Sequence, residues 1–120
     1  MKLAYEIAPR QYDFIPREEL SLLTLDFETY YETGPKAYSL GNRAMTTEEY
    51  IRHEKFETLG FSIKRPGEEP KYVTGTDAEM WDYLHDTVKW EETALLGHNN
   101  LFDASILSWH YGIQPAYLLD

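Results

Sequence analysis

The stretch Leu22-Leu23-Thr24-Leu25-Asp26-Phe27-Glu28-Thr29-Tyr30 constrains this chain more than any other. Its apolar run reads as a strand over residues 21–29, apolar on both faces through Leu22, Leu23 and Leu25, as in a central strand covered on two sides. The run ends on two acids one residue apart. Because side chains alternate along a strand, Asp26 and Glu28 project from one face, about 7 Å apart. Two carboxylates on one rigid rail suit a hard divalent cation. An unpaired charge inside a buried strand is very costly, so Asp26 is expected to have a cation as its partner.

The rest of the chain supplies elements to pack around that strand. Residues 1–20, with Pro9 and Pro16 and no periodicity, read as an N-terminal arm whose Tyr5, Ile7, Tyr12, Phe14 and Ile15 pack on this domain's own sheet or on a partner. Residues 30–45 read as a long loop carrying Gly34-Pro35 and Gly41-Asn42. Its Lys36, Arg43, Tyr30, Tyr31 and Tyr38 offer cations and stacking faces suited to a single-stranded nucleic acid, or rings that close the rim of the core. Thr46 and Glu49 form a capping box that starts a short helical turn. Alternation of Leu59, Phe61 and Ile63 gives a strand over residues 56–64, and Arg65 to Pro70 turn it back into a third strand over 71–74.

A second capping box, Thr76 to Glu79, opens a helix over about residues 77–90, with Met80, Trp81, Leu84 and Val88 on one face. A short buried strand follows over 93–99. A further helix over 102–111, apolar at Phe102, Ile106, Leu107 and Trp109, ends at Gly112, and residues 115–120 are extended. This order predicts an α/β domain with a mixed sheet, an antiparallel three-strand meander joined by one parallel strand, with flanking helices. In such sheets sites form at the carboxyl ends of parallel strands, which brings Asp26 and Glu28 toward the segment from Asn99 to Asp103.

Composition narrows the function classes. At 120 residues, 42% hydrophobic and 15% aromatic, the chain has enough apolar material for the core of one domain. With no cysteine, disulfides and thiolate chemistry are excluded. No run approaches the roughly 18 apolar residues of a membrane span and no apolar signal core follows Met1, so a cytoplasmic protein is expected. The net charge of −10, 21 acids against 11 bases, argues against a generic nucleic-acid binder. Acids that hold cations weaken that objection, because the bound ions reverse the local sign.

Single residues have plain structural explanations. Asp103 falls in the first turn of a helix, where the dipole favours a carboxylate, with Asn100 placed to cap it. His98 and His110 are expected to be structural rather than ligands or bases.

Taken together, Leu25-Asp26-Phe27-Glu28-Thr29 and Gly97-His98-Asn99-Asn100-Leu101-Phe102-Asp103 resemble the first two motifs, Asp-x-Glu and Asn-x-x-(Phe/Tyr)-Asp, of the DEDD superfamily of 3'-5' exonucleases. The two sets of acids are 77 positions apart, from 26 to 103. The segment from Tyr38 through Ile63 resembles more narrowly the proofreading domain at the front of bacteriophage family A DNA polymerases. The resemblance covers about residues 20–120, a partial exonuclease domain over 21–120 behind the arm.

It implies a ribonuclease-H-like fold and hydrolysis of single-stranded DNA from its 3' end, in the host cytoplasm if the chain is phage-encoded. Asp26 and Glu28 would hold the Mg²⁺, or Mn²⁺, that activates water; Asp26 and Asp103 would hold a second ion that stabilises the leaving oxygen. Thr29 and Asn99 stand at the positions that meet the 3'-terminal nucleotide. The family also uses a fourth acid, in a Tyr-x-x-x-Asp or His-x-x-x-Asp motif, and none follows Asp103; Asp120 stands at the end of the sequence. The resemblance thus implies the front part of an exonuclease, inactive or weak alone, completed by further chain or by a second polypeptide from the exonuclease or polymerase. A different class also fits the charge: a non-catalytic acidic interaction protein that keeps the fold and binds a basic or DNA-binding partner.

Overall fold

The computed structural model describes residues 19–41, 45–97 and 99–119. The expectations for the arm up to residue 18, for Arg43, for His98 and for Asp120 lie outside the described residues. The elements are β1 (Ser21–Thr29), α1 (Thr47–Arg52), β2 (Thr58–Lys64), β3 (Lys71–Val73), α2 (Asp77–Thr87), β4 (Thr93–Leu96), α3 (Asn100–Tyr111) and β5 (Tyr117–Leu119). They form an α/β domain on one five-stranded mixed sheet of order β3-β2-β1-β4-β5. β1 pairs antiparallel with β2, placing Leu25 opposite Ile63 and Phe27 opposite Phe61. On its other side β1 runs parallel to β4, from Ser21 opposite Thr93 to Thr24 opposite Leu96.

The expected meander and parallel strand are therefore present, and a fifth strand joins them. β5 runs parallel to β4, with Ala94 opposite Tyr117 and Leu96 opposite Leu119. The sequence shows only an extended tail there, because a three-residue edge strand is too short to display a period. Its position is fixed from outside: Ala116 N donates to Trp90 O at 3.0 Å, and Asn100 Nδ2 donates to Leu119 O at 2.7 Å.

One face of the sheet carries the core. Leu23, Leu25, Phe27, Phe61, Ile63 and Leu95 pack with Met80 and Leu84 of α2 and with Ile106 and Leu107 of α3 in a single buried cluster. The other face of β1 is less covered and opens toward its end: Leu22 is 37% exposed, Thr24 is half-buried, and Asp26 and Glu28 are exposed. The expectation that β1 is covered on both sides is thus corrected among the described residues, since both long helices feed the cluster on one side.

Local departures have local causes. Leu59 is exposed although Phe61 and Ile63 are buried, because a bulge makes Glu28 pair with Gly60 and Thr29 with Thr58, leaving Leu59 out of the ladder. α2 stops at Thr87, where Val88 turns extended. The Leu84 carbonyl, which would accept from Val88 in a longer helix, accepts instead from the Trp90 indole at 2.8 Å. Trp81, expected on the buried face of α2, is 43% exposed and stacks on His85. Both capping boxes form, Thr46 with Glu49 and Thr76 with Glu79. Gly112, at φ 63°, ends α3 in the left-handed conformation that glycine adopts without strain.

Candidate functional site

β1 outruns its parallel partner. Its pairing with β4 ends at Thr24 and Leu96, whereas β1 continues to Thr29, so a notch opens beside residues 25–29. The start of α3 fills it. The Phe27 backbone N–H donates to Asp103 Oδ1 at 3.1 Å, joining the strand residue between the two acids to the helix acid. Asn100, one turn earlier, donates through Nδ2 to Leu95 O at 3.1 Å and to Leu119 O, so it ties the ends of β4 and β5 to the same helix. Gly97 makes room for this approach: a Cβ there would stand 3.0 Å from Asn100 Oδ1 and 3.4 Å from Asp103 Oδ2.

The electrostatics of the three acids differ. Asp103 is 1% exposed. Burial pushes its carboxyl up to about 7; the Phe27 N–H opposes that rise and the negative charge of Asp26 adds to it. Asp26 and Asp103 are thus close enough to repel, and neither is ion-paired among the described residues. Glu28, on the same face of β1 as Asp26, meets the Tyr72 hydroxyl at 3.4 Å.

The predicted site residues therefore divide. Asp26 and Asp103 come together at the notch. Glu28 is one residue from the shared amide, with its carboxyl turned to β3. Among the described residues no three His, Asp or Glu side chains stand close enough to hold a metal ion jointly. The donors present are carboxylate oxygens, the type that Mg²⁺ and Mn²⁺ accept, and the buried Asp103 beside Asp26 is a charge pair that a cation would relieve. In chemistry the pair fits such an ion.

Thr29 is half-buried and bonded to the Tyr50 hydroxyl at 2.7 Å. Since that hydroxyl donates its proton to Tyr30 O at 2.6 Å, Thr29 Oγ1 is the donor to Tyr50. Asn99 is exposed and precedes α3 without making a side-chain cap. Asn100, expected to cap the helix, is instead its first residue, and the Asn99 carbonyl accepts the first bonds of α3 from Phe102 N and Asp103 N. Asn100 is buried, and its Oδ1 lacks a hydrogen-bond partner among the described residues. Sequence reading gave it only a capping role, and a polar residue directly beside the motif Asn was the available signal.

The tyrosine loop is mostly structural. Tyr38 is buried and stacked on Tyr50 at 4.6 Å, with Tyr30 stacked beside it at 6.2 Å. Glu32 accepts from Tyr30, Lys55 and the Tyr38 backbone, which holds its carboxyl below the ordinary range. Of the expected stacking faces, Tyr31 stays open, at 62% exposed, and Lys36 is exposed beside it in the same loop. His110 bonds Ile51 O at 3.0 Å and stacks on Phe56, the structural role expected of it.

No protein-family model matches this sequence, and no curated protein matches it at a significant level. No helix among the described residues is long and apolar enough to cross a membrane.

Proposed function

We propose that the chain is the front part of a metal-dependent 3'-5' exonuclease domain of ribonuclease-H-like fold, which hydrolyses single-stranded DNA once a fourth acid from outside these residues completes the site. The observation that carries this reading is the hydrogen bond from Phe27 N–H to Asp103 Oδ1. It links the Asp-x-Glu segment to the Asn-x-x-Phe-Asp segment across 76 positions, and nothing in a helix's first turn requires that contact. The five-stranded mixed sheet, with the acids beside the carboxyl end of its parallel pair, is compatible with the same reading.

In this reading Asp26, Glu28 and Asp103 would hold divalent ions, which would supply an activated water and charge stabilisation for the leaving oxygen. Asp26 serves both sides of the site from its exposed position. Burial disfavours the charged form of Asp103, and a cation beside it would favour that form again. Thr29 and Asn99 meet the terminal nucleotide, and the exposed Tyr31 with Lys36 offers a ring and a cation to the strand behind it.

The test is a nuclease assay on a 3'-labelled single strand with Mg²⁺, using the chain alone and with candidate completing polypeptides. Little cleavage alone, cleavage on completion, and loss of more than about a hundredfold in Asp26→Ala is the expected pattern. Activity unchanged in Asp26→Ala refutes the catalytic assignment.

The net charge of −10 favours one second reading: an acidic module that binds a basic or DNA-binding partner without catalysis. Metal titration separates the two. Mn²⁺ binding lost in Asp26→Ala belongs to the nuclease; partner binding indifferent to metal and weakened by salt belongs to the module.

A further inference from the structure

Glu28 has a neighbour that the sequence motif does not include. In the sheet register Glu28 lies opposite Gly60 on β2, Asp26 lies opposite Ser62, and Ser62 in turn lies opposite Tyr72 on β3. Side-chain alternation puts Tyr72 on the same open face as the two acids, one strand further out. Its phenol reaches back over Gly60, and the hydroxyl donates to Glu28 Oε2 at 3.4 Å.

Gly60 is what lets the ring cross. A Cβ at that position would stand 2.3 Å from Tyr72 Oη and 2.6 Å from Cζ, closer than any side chain tolerates. Tyr72 is 50% exposed, so the ring lies half-buried on the sheet with its hydroxyl free to reach Glu28. A glycine in mid-strand lowers stability and marks a bulge or a close approach; here the bulge opposite Glu28 and Thr29 and the Val73 carbonyl, 2.8 Å from such a Cβ, share the position with the Tyr72 ring. Three strands thus cooperate in one contact: β3 supplies the hydroxyl, β2 the gap and β1 the carboxylate.

We propose that Tyr72 is a positioning residue for Glu28: it occupies Oε2, fixes the side-chain rotamer and leaves Oε1 open to a cation. This rests on the nuclease reading of Glu28. Metal-binding carboxylates are commonly held by such second hydrogen bonds, and removing one typically costs about 10–100-fold in metal affinity.

The experiment uses the full 120-residue chain as wild type, Tyr72→Phe, Gly60→Ala and Asp26→Ala, with Mn²⁺ as the probe and ¹³C relaxation of the Glu28 side chain as a metal-free readout. Tyr72→Phe keeps the ring and removes the donor. It is expected to loosen Glu28 in the metal-free chain and to weaken Mn²⁺ binding about tenfold, with an unchanged unfolding midpoint. Gly60→Ala keeps the phenol but displaces it, and because its Cβ also presses on the Val73 carbonyl it is expected to loosen Glu28 and to lower the unfolding midpoint, which Tyr72→Phe leaves unchanged. Glu28 equally ordered in Tyr72→Phe overturns the proposal whatever the metal does. A loosened Glu28 with unchanged Mn²⁺ affinity overturns it too. Mn²⁺ binding that is absent, or indifferent to Asp26→Ala, overturns the nuclease reading and the positioning role with it, and the relaxation data then show whether Tyr72 still tethers Glu28.

Discussion

The two faces of β1 carry opposite kinds of side chain in opposite surroundings. Leu23, Leu25 and Phe27 are buried under the helices, and Phe27 stacks on Tyr111 at 5.8 Å and meets Phe61 edge-on at 5.5 Å. Asp26 and Glu28, their immediate neighbours, stand in solvent. Between them, in the plane of the sheet, the Phe27 amide meets Asp103, a buried acid. The strand thus separates buried apolar side chains from exposed acids by alternation alone. Asp103 is where the two meet, because one carboxyl both completes the backbone hydrogen bonding of β1 and stores unfavourable charge.

The sharpest way to break that comparison is to truncate adjacent residues. Phe27→Ala is expected to cost about 3–5 kcal/mol, through lost burial and the cavity between Phe61 and Tyr111. Asp26→Ala is expected to stay within about 0.5 kcal/mol. Urea unfolding of both variants decides it, and comparable costs would mean that the open face is not open.

A smaller effect probes the seam. The Asp103 carboxyl is raised to about 7, so between roughly pH 4 and 7 the folded chain holds a proton that the unfolded chain releases. Its contribution therefore reduces stability as pH rises through that window and levels off above it. Asp103→Asn keeps an acceptor for the Phe27 amide and removes the charge. Relative to wild type it should be near neutral at pH 4 and stabilising at pH 8, with a slope of at most about 1.4 kcal/mol per pH unit between. A stability difference flat with pH would place Asp103 in contact with water.

The smallest effect tests the coupling between the open face and the seam. Burial is the main cause of the raised Asp103 value and Asp26 a lesser one, so Asp26→Asn should lower it without restoring the ordinary carboxylate range. Carboxyl ¹³C titration of Asp103 in both chains measures this. No change would mean that the two acids do not sense each other.

Much of the architecture was legible in the chain. The β1 run, the two capping boxes, the β2–β3 turn and the Gly112 stop depend on local rules, and each formed within a few residues of its expected bounds. The environments of the acids were not legible. Asp26 follows four residues that read as buried, and it is exposed; Asp103 reads as an ordinary first-turn acid, and it is buried. Local sequence reports what a strand or helix can bury, whereas burial depends on which face the neighbouring elements choose.

The same division holds for the remaining contacts. By itself the sequence determined the alternation that sets Asp26 and Glu28 on one side of β1, because backbone geometry fixes it wherever a strand forms. It also determined where the helices start, since caps act within a single turn. Only the tertiary structure decided that β4 stops short beside β1, that Asp103 fills the notch, that Tyr72 reaches Glu28 over Gly60 and that residues 117–119 become an edge strand. Those outcomes depend on strand register and on close packing between segments far apart in the chain, and neither has a local signature.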